Sequence, residues 1–418
     1  MGKYKILMFS DHALSTSGVG CQSRYLINGL IEKGCWSIRQ FGAALKHTSY
    51  DVAHINEDFV IKPIDGFGDP DLLRTAIVTE KPDVILLFTD PRFFIWLWEH
   101  EDEVHQVCPI AYWHVWDNNP RPAFNDVLYE ATDLINCHSY PTYKICSEKF
   151  PEKTNFIPHA LPEDIFYPLP EQEVQSLRKE ILGPTVIDHF VPLWINRNAK
   201  RKRPSDVLWG WKIFLDNLQD VHGKSDATLL MHTDPNDAEG PHLVSVAEML
   251  GIKDRVIFST ERVTFEKMNV LHNISDCCIN ISFAEGFGLS TLEAMQVGKP
   301  IIAAKTGGLT RQVVDHRDGT ENGVALDIKL TTLVGSQSVP YIYEDYCSVE
   351  DISAAFMKLY EEGPSGRKVI GEKARAYVAS EFHIQKTIDL WHESLLKLIE
   401  GWKDKSTRPS RFEIREIV

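Results

Sequence analysis

Short apolar runs alternate with helical patterns along most of the chain. In the first half the strand-length runs are 5–9, 82–88, 109–114, 133–138 and 154–158. In the second half they are 190–195, 228–231, 256–258, 277–281 and 300–304. Strands that alternate with helices are typical of parallel, doubly wound α/β sheets. The pattern therefore predicts two consecutive Rossmann-like domains.

A cluster of prolines interrupts this rhythm and indicates a domain boundary. Pro158, Pro162, Pro168 and Pro170 are followed by Gly183-Pro184, a composition typical of a linker. We therefore predict an N-terminal domain over 1–165, a linker over 166–190 and a C-terminal domain over 191–380. Because ligands bind preferentially at domain interfaces, we expect the site in a deep cleft between the two domains.

The sequence pattern predicts helix for the last part of the chain. Residues 384–402 place apolar side chains on one helical face, and the pattern predicts an amphipathic helix. Its apolar residues are Ile388, Trp391, Leu395, Leu396 and Ile399. Residues 335–346 do not fit the strand–helix alternation, and we interpret them as an insertion. The predicted final unit is 381–418, a helix with a basic tail.

Composition narrows the class of protein. The 418 residues carry a net charge of −15, which argues against a general nucleic-acid or anionic-membrane binder, because both need a dominant basic surface. No apolar stretch approaches the ~18 residues of a membrane span, and the apolar start is too short for a signal peptide. We expect a cytoplasmic protein, and the basic tail leaves peripheral membrane attachment open.

Cysteine and histidine spacing argues against a metal site. The eight cysteines form no CxxC pair, and the sixteen histidines form no HExxH motif, so we predict reduced thiols and no zinc. Asp69-Pro70-Asp71 resembles a metal-binding DxD, but its setting among glycines indicates a turn.

Two glutamates eight positions apart mark the most informative segment. Glu285 precedes a glycine turn, 286–288, and Glu293 lies in the helical pattern that follows. Apolar runs on either side complete a βαβ unit, whose loops bind ligands at the carboxyl ends of the strands. Such a unit offers amides for phosphate and carboxylates for hydroxyls. The same residues fit a helix-capping glutamate followed by a surface glutamate equally well.

Three further features lie at predicted strand ends. Five basic residues within 197–203 directly follow the first strand of the C-terminal domain, where they could neutralise a diphosphate or form a solvated loop. Gly18 opens the first helix, but Ser23 stands where a dinucleotide fingerprint needs its third glycine, which argues against a nicotinamide cofactor. His114 ends a strand that faces the cleft, in either a structural or a catalytic role.

In chain order these features resemble the retaining, GT-B-fold glycosyltransferases of family 4. Glu285 and Glu293 match the E-x7-E motif of that family in its EGFGL…LEAM…GKP context. Arg197 and Lys202 match its arginine–lysine pair five positions apart. The segment 155–166 is similar to the interdomain signature IPNGVD…F, with His159-Ala160 in place of Asn-Gly, and Arg311 replaces a usual glutamate after the double glycine 307–308.

The resemblance implies a GT-B architecture whose final helix crosses back to the N-terminal domain, and it implies site roles. Glu293 would hold the ribose, and Glu285 would hold the donor sugar. Lys202 and Arg197 would stabilise the departing diphosphate, and His114 would face the donor sugar. The remaining implied donor contacts are Gly18, Thr260, Arg262, Phe287, Gly288 and Leu289. No metal or other cofactor is expected.

The leading hypothesis is therefore a retaining glycosyltransferase that uses a UDP- or GDP-sugar. A nucleotide-sugar epimerase of the same fold and a non-catalytic sugar-nucleotide or glycan-binding protein are the alternatives. The acceptor stays open among a glycan, a lipid, a protein and, less favoured, a modified nucleic-acid base. Sequence assigns no oligomeric state.

Overall fold

The computed structural model describes residues 2–45 and 49–404, and most of the basic tail, 405–418, lies outside them. An eight-stranded sheet forms the first domain, in the order β3-β4-β2-β1-β5-β6-β7-β8. Its pairs are parallel apart from β3 with β4. The strands are β1 (Tyr4–Asp11), β2 (Trp36–Ala43), β3 (Ala53–His54), β4 (Phe59–Pro63), β5 (Val84–Phe88), β6 (Ile110–His114), β7 (Leu134–Cys137) and β8 (Thr154–Phe156).

A six-stranded parallel sheet forms the second domain, in the order β11-β10-β9-β12-β13-β14. Its strands are β9 (Pro192–Ile195), β10 (Leu229–His232), β11 (Val256–Ser259), β12 (Cys277–Asn280), β13 (Ile301–Ala304) and β14 (Gly323–Leu326). The prediction of two doubly wound parallel sheets is confirmed.

Helices cover both sheets and join the domains. Those of the first domain are α1 (Gly18–Glu32), α2 (Pro70–Glu80), α3 (Ile95–Trp98), α4 (Glu101–Val104), α5 (Asp126–Glu130) and α6 (Tyr140–Ser147). The predicted linker region holds α7 (Glu171–Leu182). The later helices are α8 (Pro204–His222), α9 (Leu243–Met249), α10 (Phe265–Asn273), α11 (Leu289–Gln296), α12 (Thr310–Val313), α13 (Val349–Glu361), α14 (Gly363–Glu381) and α15 (Ile384–Lys403).

Helix α15 returns to the N-terminal domain, as predicted. Its apolar face includes Trp391, Leu395 and Ile399, all buried in the core of the first domain with strands β1 and β5. The indole of Trp391 packs against that of Trp113, with ring centroids 4.8 Å apart. Across the described residues, every helix is too short or too polar to span a bilayer.

The segment that broke the alternation is a β-hairpin. Strands β15 (Leu330–Val334) and β16 (Ile342–Tyr346) pair antiparallel and extend from the C-terminal domain to the loop after β6. The amide of Tyr343 donates to the carbonyl of Asn119 at 2.7 Å, and the Asn118 amide donates to Asp345 at 2.8 Å. The hairpin therefore links the two domains beside the cleft.

Candidate active site

A cavity of about 910 Å³ lies between the two domains. The N-terminal domain contributes residues 16–19 at the start of α1 and the loops that follow β6, β7 and β8. The C-terminal domain contributes the turn after β9, residues 262–266 up to the start of α10, and residues 285–290 up to the start of α11. These segments are loops at the carboxyl ends of parallel strands, where α/β sheets bind ligands.

Two interlocked glycine turns form the floor of the cavity. Gly288 precedes α11 with a φ of 93°, in the left-handed region that favours glycine. A Cβ on Gly308 would lie 2.3 Å from the carbonyl oxygen of Gly286, so the second turn packs directly on the first. The amide of Gly308 also donates to the carbonyl of Glu285 at 2.9 Å. The turn before α11 is thereby fixed in place.

Glu285 is a buried carboxylate held by cations. The Lys202 ammonium forms an ion pair with its Oε2, to which the Ser282 hydroxyl donates at 3.1 Å, and an Arg201 Nη1 lies 3.7 Å away. Burial disfavours ionisation, but Lys202 and Arg201 outweigh it and lower the pKa of Glu285 to about 2. Glu285 is therefore ionised at neutral pH.

Lys202 and Arg201 reach the cavity from one short turn. The 3₁₀ turn Lys200–Lys202 follows β9, and the Lys202 side chain is only 9% exposed. Arg201 also donates to the carbonyl of Ala284 at 3.2 Å. Burial lowers the pKa of the Lys202 ammonium, whereas Glu285 opposes that shift. The site thus places two cations, Arg201 and Lys202, beside the Glu285 carboxylate, where they can interact with an anionic ligand.

Glu293 is fixed by a histidine from a neighbouring helix. The imidazole of His272, on α10, contacts Oε2 of Glu293 at 3.0 Å. His272 is fully buried, whereas Glu293 lines the cavity from α11. The contact orients one carboxylate oxygen and leaves the other available to a ligand.

Comparison with known proteins identifies the C-terminal domain. Residues 205–330 match the family model described as glycosyl transferases group 1. This segment is therefore similar to the group 1 glycosyl transferases. The resemblance to group 1 glycosyltransferases that the motifs indicated is confirmed, whereas the retaining stereochemistry stays a prediction.

A curated relative matches the chain over a short segment. D-inositol 3-phosphate glycosyltransferase 2 of Catenulispora acidiphila is 39% identical over 83 residues, which are 20% of this chain and 19% of the relative. The chain thus spans about a fifth of the length of that relative.

Solved structures match the chain over nearly its whole length. Sucrose-phosphate synthase from Thermosynechococcus elongatus has a TM-score of 0.74 at 16% identity, covering 96% of this chain and 100% of that one. HepE of Anabaena in complex with UDP-glucose has a TM-score of 0.69 at 17% identity, covering 94% and 100%. These likenesses confirm the GT-B fold.

The structure brings most of the residues singled out from sequence into one cavity. Those that line it are Lys202, Glu285, Glu293, Gly18, Arg262, Phe287, Gly288 and Leu289. They come from both domains and from segments more than 270 positions apart in sequence. The roles implied for them by resemblance stay predictions.

Three of the singled-out residues lie elsewhere, which corrects their expected placement. Arg197 is turned away from the cavity and binds Asp237 at 2.7 Å and Glu239 at 2.9 Å. His114 is fully buried, and its Nε2 contacts the Tyr129 hydroxyl at 2.7 Å. Thr260 follows β11 at the surface, outside the cavity lining.

Other residues line the cavity where Arg197 and His114 were expected. Arg201 lines the cavity instead of Arg197, and His138 and His159 line it instead of His114. Asp117, three positions beyond His114, lines it as well. His138 ends the predicted strand 133–138 and His159 directly follows the predicted strand 154–158, so their position at strand ends was a usable signal. His159 also marked a departure from the family pattern.

Metal-binding clusters are absent from the part of the chain that the structure describes, where no three His, Cys, Asp or Glu residues converge. The eight cysteines are free thiols, and seven of them are buried.

The two arginines give a direct test of the placement. In the sugar transfer proposed below, we expect Arg201→Ala to lower kcat/KM at least ~10-fold, since it removes a cation facing the cavity. Arg197→Ala is the matched control and should change kcat/KM by less than ~3-fold, because its exposed ion pairs contribute little. Steady-state kinetics on both variants measures the two losses. A larger loss for Arg197→Ala than for Arg201→Ala would contradict the placement of Arg201 in the cavity and Arg197 outside it.

Proposed function

We propose that the protein is a retaining glycosyltransferase that moves a sugar from a nucleoside-diphosphate sugar to an acceptor hydroxyl. The observation that carries this proposal is the pairing of Glu285 with Lys202 and Arg201 at the start of α11, inside a cleft between two Rossmann-like domains. Cations for a diphosphate and a carboxylate for hydroxyls thus lie at the carboxyl ends of adjacent strands β9 and β12.

In the proposed reaction the protein works by positioning and charge stabilisation. Arg201 and Lys202 stabilise the departing diphosphate, and Glu293, oriented by His272, accepts hydrogen bonds from the ribose hydroxyls. The bond between the anomeric carbon and phosphate oxygen breaks as the acceptor oxygen bonds to that carbon on the same face. The acceptor proton passes to the leaving diphosphate, so no base or metal is needed.

UDP-sugars are the first donors to consider. The structural neighbours include HepE of Anabaena in complex with UDP-glucose and a trehalose-6-phosphate protein of E. coli bound with UDP-2-fluoro glucose. These ligands belong to those proteins, and their shared fold makes a UDP-sugar our leading donor, with a GDP-sugar next.

A nucleotide-sugar epimerase and a non-catalytic binding protein are the rival functions. An epimerase would convert the donor to an isomeric nucleotide sugar without an acceptor, which product analysis detects. A binding protein would retain the donor without turnover. The two cations beside the Glu285 carboxylate argue against a non-catalytic role, because charge on a leaving diphosphate is what they would stabilise. Product analysis separates transfer from epimerisation.

Donor binding is the first experiment. A donor that binds only the folded protein raises the free energy of unfolding by ~2.7 kcal/mol when its free concentration is 100 times its Kd. We therefore expect a rise in Tm with UDP or GDP and the corresponding sugar nucleotides, and a smaller rise in a Glu293→Gln variant. A flat response to every nucleotide would contradict the proposed function.

A further inference from the structure

Asp117 differs from the other carboxylates of the cavity because nothing holds it. Glu285 has Lys202 and Ser282, and Glu293 has His272. Within residues 2–45 and 49–404, no group hydrogen-bonds or ion-pairs with the Asp117 carboxylate. A carboxylate that faces a cavity without a partner is an open hydrogen-bond acceptor.

The position of Asp117 puts this open carboxylate at the seam between the two domains. It lies in the loop after β6, on the wall formed by the N-terminal domain. Its Oδ1 is 2.9 Å, and Nε2 of His138 is 2.7 Å, from the point where a Cβ on Gly286 would lie. Asp117 therefore lies against the glycine turn that follows Glu285, where the reacting end of a donor and an acceptor would meet.

The charges around Asp117 change when a donor binds. Burial raises the pKa of the Asp117 carboxyl, Arg201 and Lys202 oppose that shift, and Glu285 and Asp90 add to it. A bound diphosphate would neutralise the two cations. Asp117 would then face the acceptor beside a second carboxylate and two phosphates, a setting that attracts hydroxyl donors and repels anions.

We propose that Asp117 binds a hydroxyl of the acceptor, and that the part of the acceptor entering the cavity is uncharged and polyhydroxylated rather than phosphorylated. This inference rests on the proposed function and adds the class of acceptor to it. Asp117 accepts a hydrogen bond from a hydroxyl and orients the acceptor, while the leaving diphosphate takes the proton of the attacking hydroxyl.

Pairs of acceptors that differ only by a phosphate group test the class of acceptor. With the donor fixed by the binding screen, nucleoside diphosphate release is measured for glucose and glucose 6-phosphate, fructose and fructose 6-phosphate, and inositol and inositol 3-phosphate. We expect kcat/KM for the preferred neutral member to exceed that of its phosphorylated counterpart at least ~10-fold, since juxtaposed like charges cost several kcal/mol. Equal use, preference for the phosphorylated members, or no preference in any pair overturns the proposal.

Substitution at Asp117 tests the residue itself. Asp117→Asn should lower kcat/KM for the neutral acceptor at least ~10-fold, because a charge-assisted hydrogen bond is lost. It should also reduce the ratio of kcat/KM between the neutral and the phosphorylated acceptor of each pair. Asp117→Ser gives a second variant, and Asp102→Asn, an exposed aspartate of the same domain, is the matched control. Unchanged discrimination in both Asp117 variants overturns the assignment.

Donor binding separates this inference from the function on which it rests. The Tm rise with nucleotide should persist in Asp117→Asn, because Glu293, Arg201 and Lys202, the contacts proposed for the ribose and the diphosphate, all lie on the C-terminal domain. If no nucleotide stabilises the wild-type protein, the proposed function fails. If nucleotides bind and sugar is transferred, but phosphorylated acceptors are preferred, only the assignment to Asp117 fails.

Discussion

Replacing Lys202 with alanine is expected to lower kcat/KM for sugar transfer by ~100-fold or more, on the scale of removing one preorganised charge-stabilising donor. The Lys202 side chain is 9% exposed and pairs with Glu285 inside the cavity. A cation in a cavity shielded from water acts more strongly on a developing phosphate charge than a surface cation does. Initial-rate kinetics over a range of donor concentrations measures the loss.

The effect on catalysis must be separated from an effect on folding. Removing one partner of a buried ion pair leaves the other uncompensated and typically costs ~3–5 kcal/mol. The double variant Lys202→Ala/Glu285→Gln removes the unpaired charge, so its Tm should recover while its activity stays low. Lys200→Ala changes an exposed lysine of the same turn and serves as the matched control. Near-normal turnover in a folded Lys202→Ala protein would contradict the assigned role.

Ten strands were predicted as short apolar runs, namely β1 and β5 to β13, whereas β2, β3, β4, β14 and the hairpin strands β15 and β16 were not. Strand β2 was missed, because Arg39 and Gln40 interrupt its apolar pattern. The structure explains why Gln40 can be buried there: its amide donates to Ser10 Oγ at 2.6 Å and its oxygen accepts from Ala13 N at 3.0 Å. Such partners are tertiary contacts, and a local pattern cannot reveal them.

The sequence predicted which loops form the site, but it did not predict which side chains of those loops point into the cavity. Strands β9 and β12 are neighbours, so residues after β9 and Glu285 after β12 had to meet at the same edge of the sheet. The 3₁₀ turn after β9 then decides that Arg201 and Lys202 point inward while Arg197 points toward Asp237. That path depends on backbone turns that spacing rules do not specify.

The placement of His114 also could not be predicted from sequence. His114 was the expected residue, yet it ends β6 with its ring against Tyr129, inside the core. Successive side chains of a strand point to opposite faces, so the last strand residue is easily assigned to the wrong side. His138 follows the end of β7 and lies in the loop, free of this constraint.

The two glutamates of the motif are expected to affect different steps of the reaction. Glu293→Gln should raise the donor Kd by ~10–100-fold, because a hydrogen bond to a charged group contributes ~1.5–3 kcal/mol. Glu285→Gln should lower kcat ~100-fold with a smaller change in donor binding, since its carboxylate organises Lys202 and the turn at the reacting end. Calorimetric titration with nucleoside diphosphate and transfer kinetics measure the two quantities separately.

The expected difference between the two variants follows from the position of each carboxylate, and nucleotide affinity tests it. Glu293 lies one helical turn into α11 and is held by His272, away from Lys202 and Arg201, whereas Glu285 touches both cations. A nucleoside diphosphate has the ribose but no donor sugar, so only Glu293→Gln should weaken its binding strongly. Equal losses of nucleotide affinity in both variants would show that Glu285 also binds the nucleotide, and would remove the argument that it acts mainly on transfer.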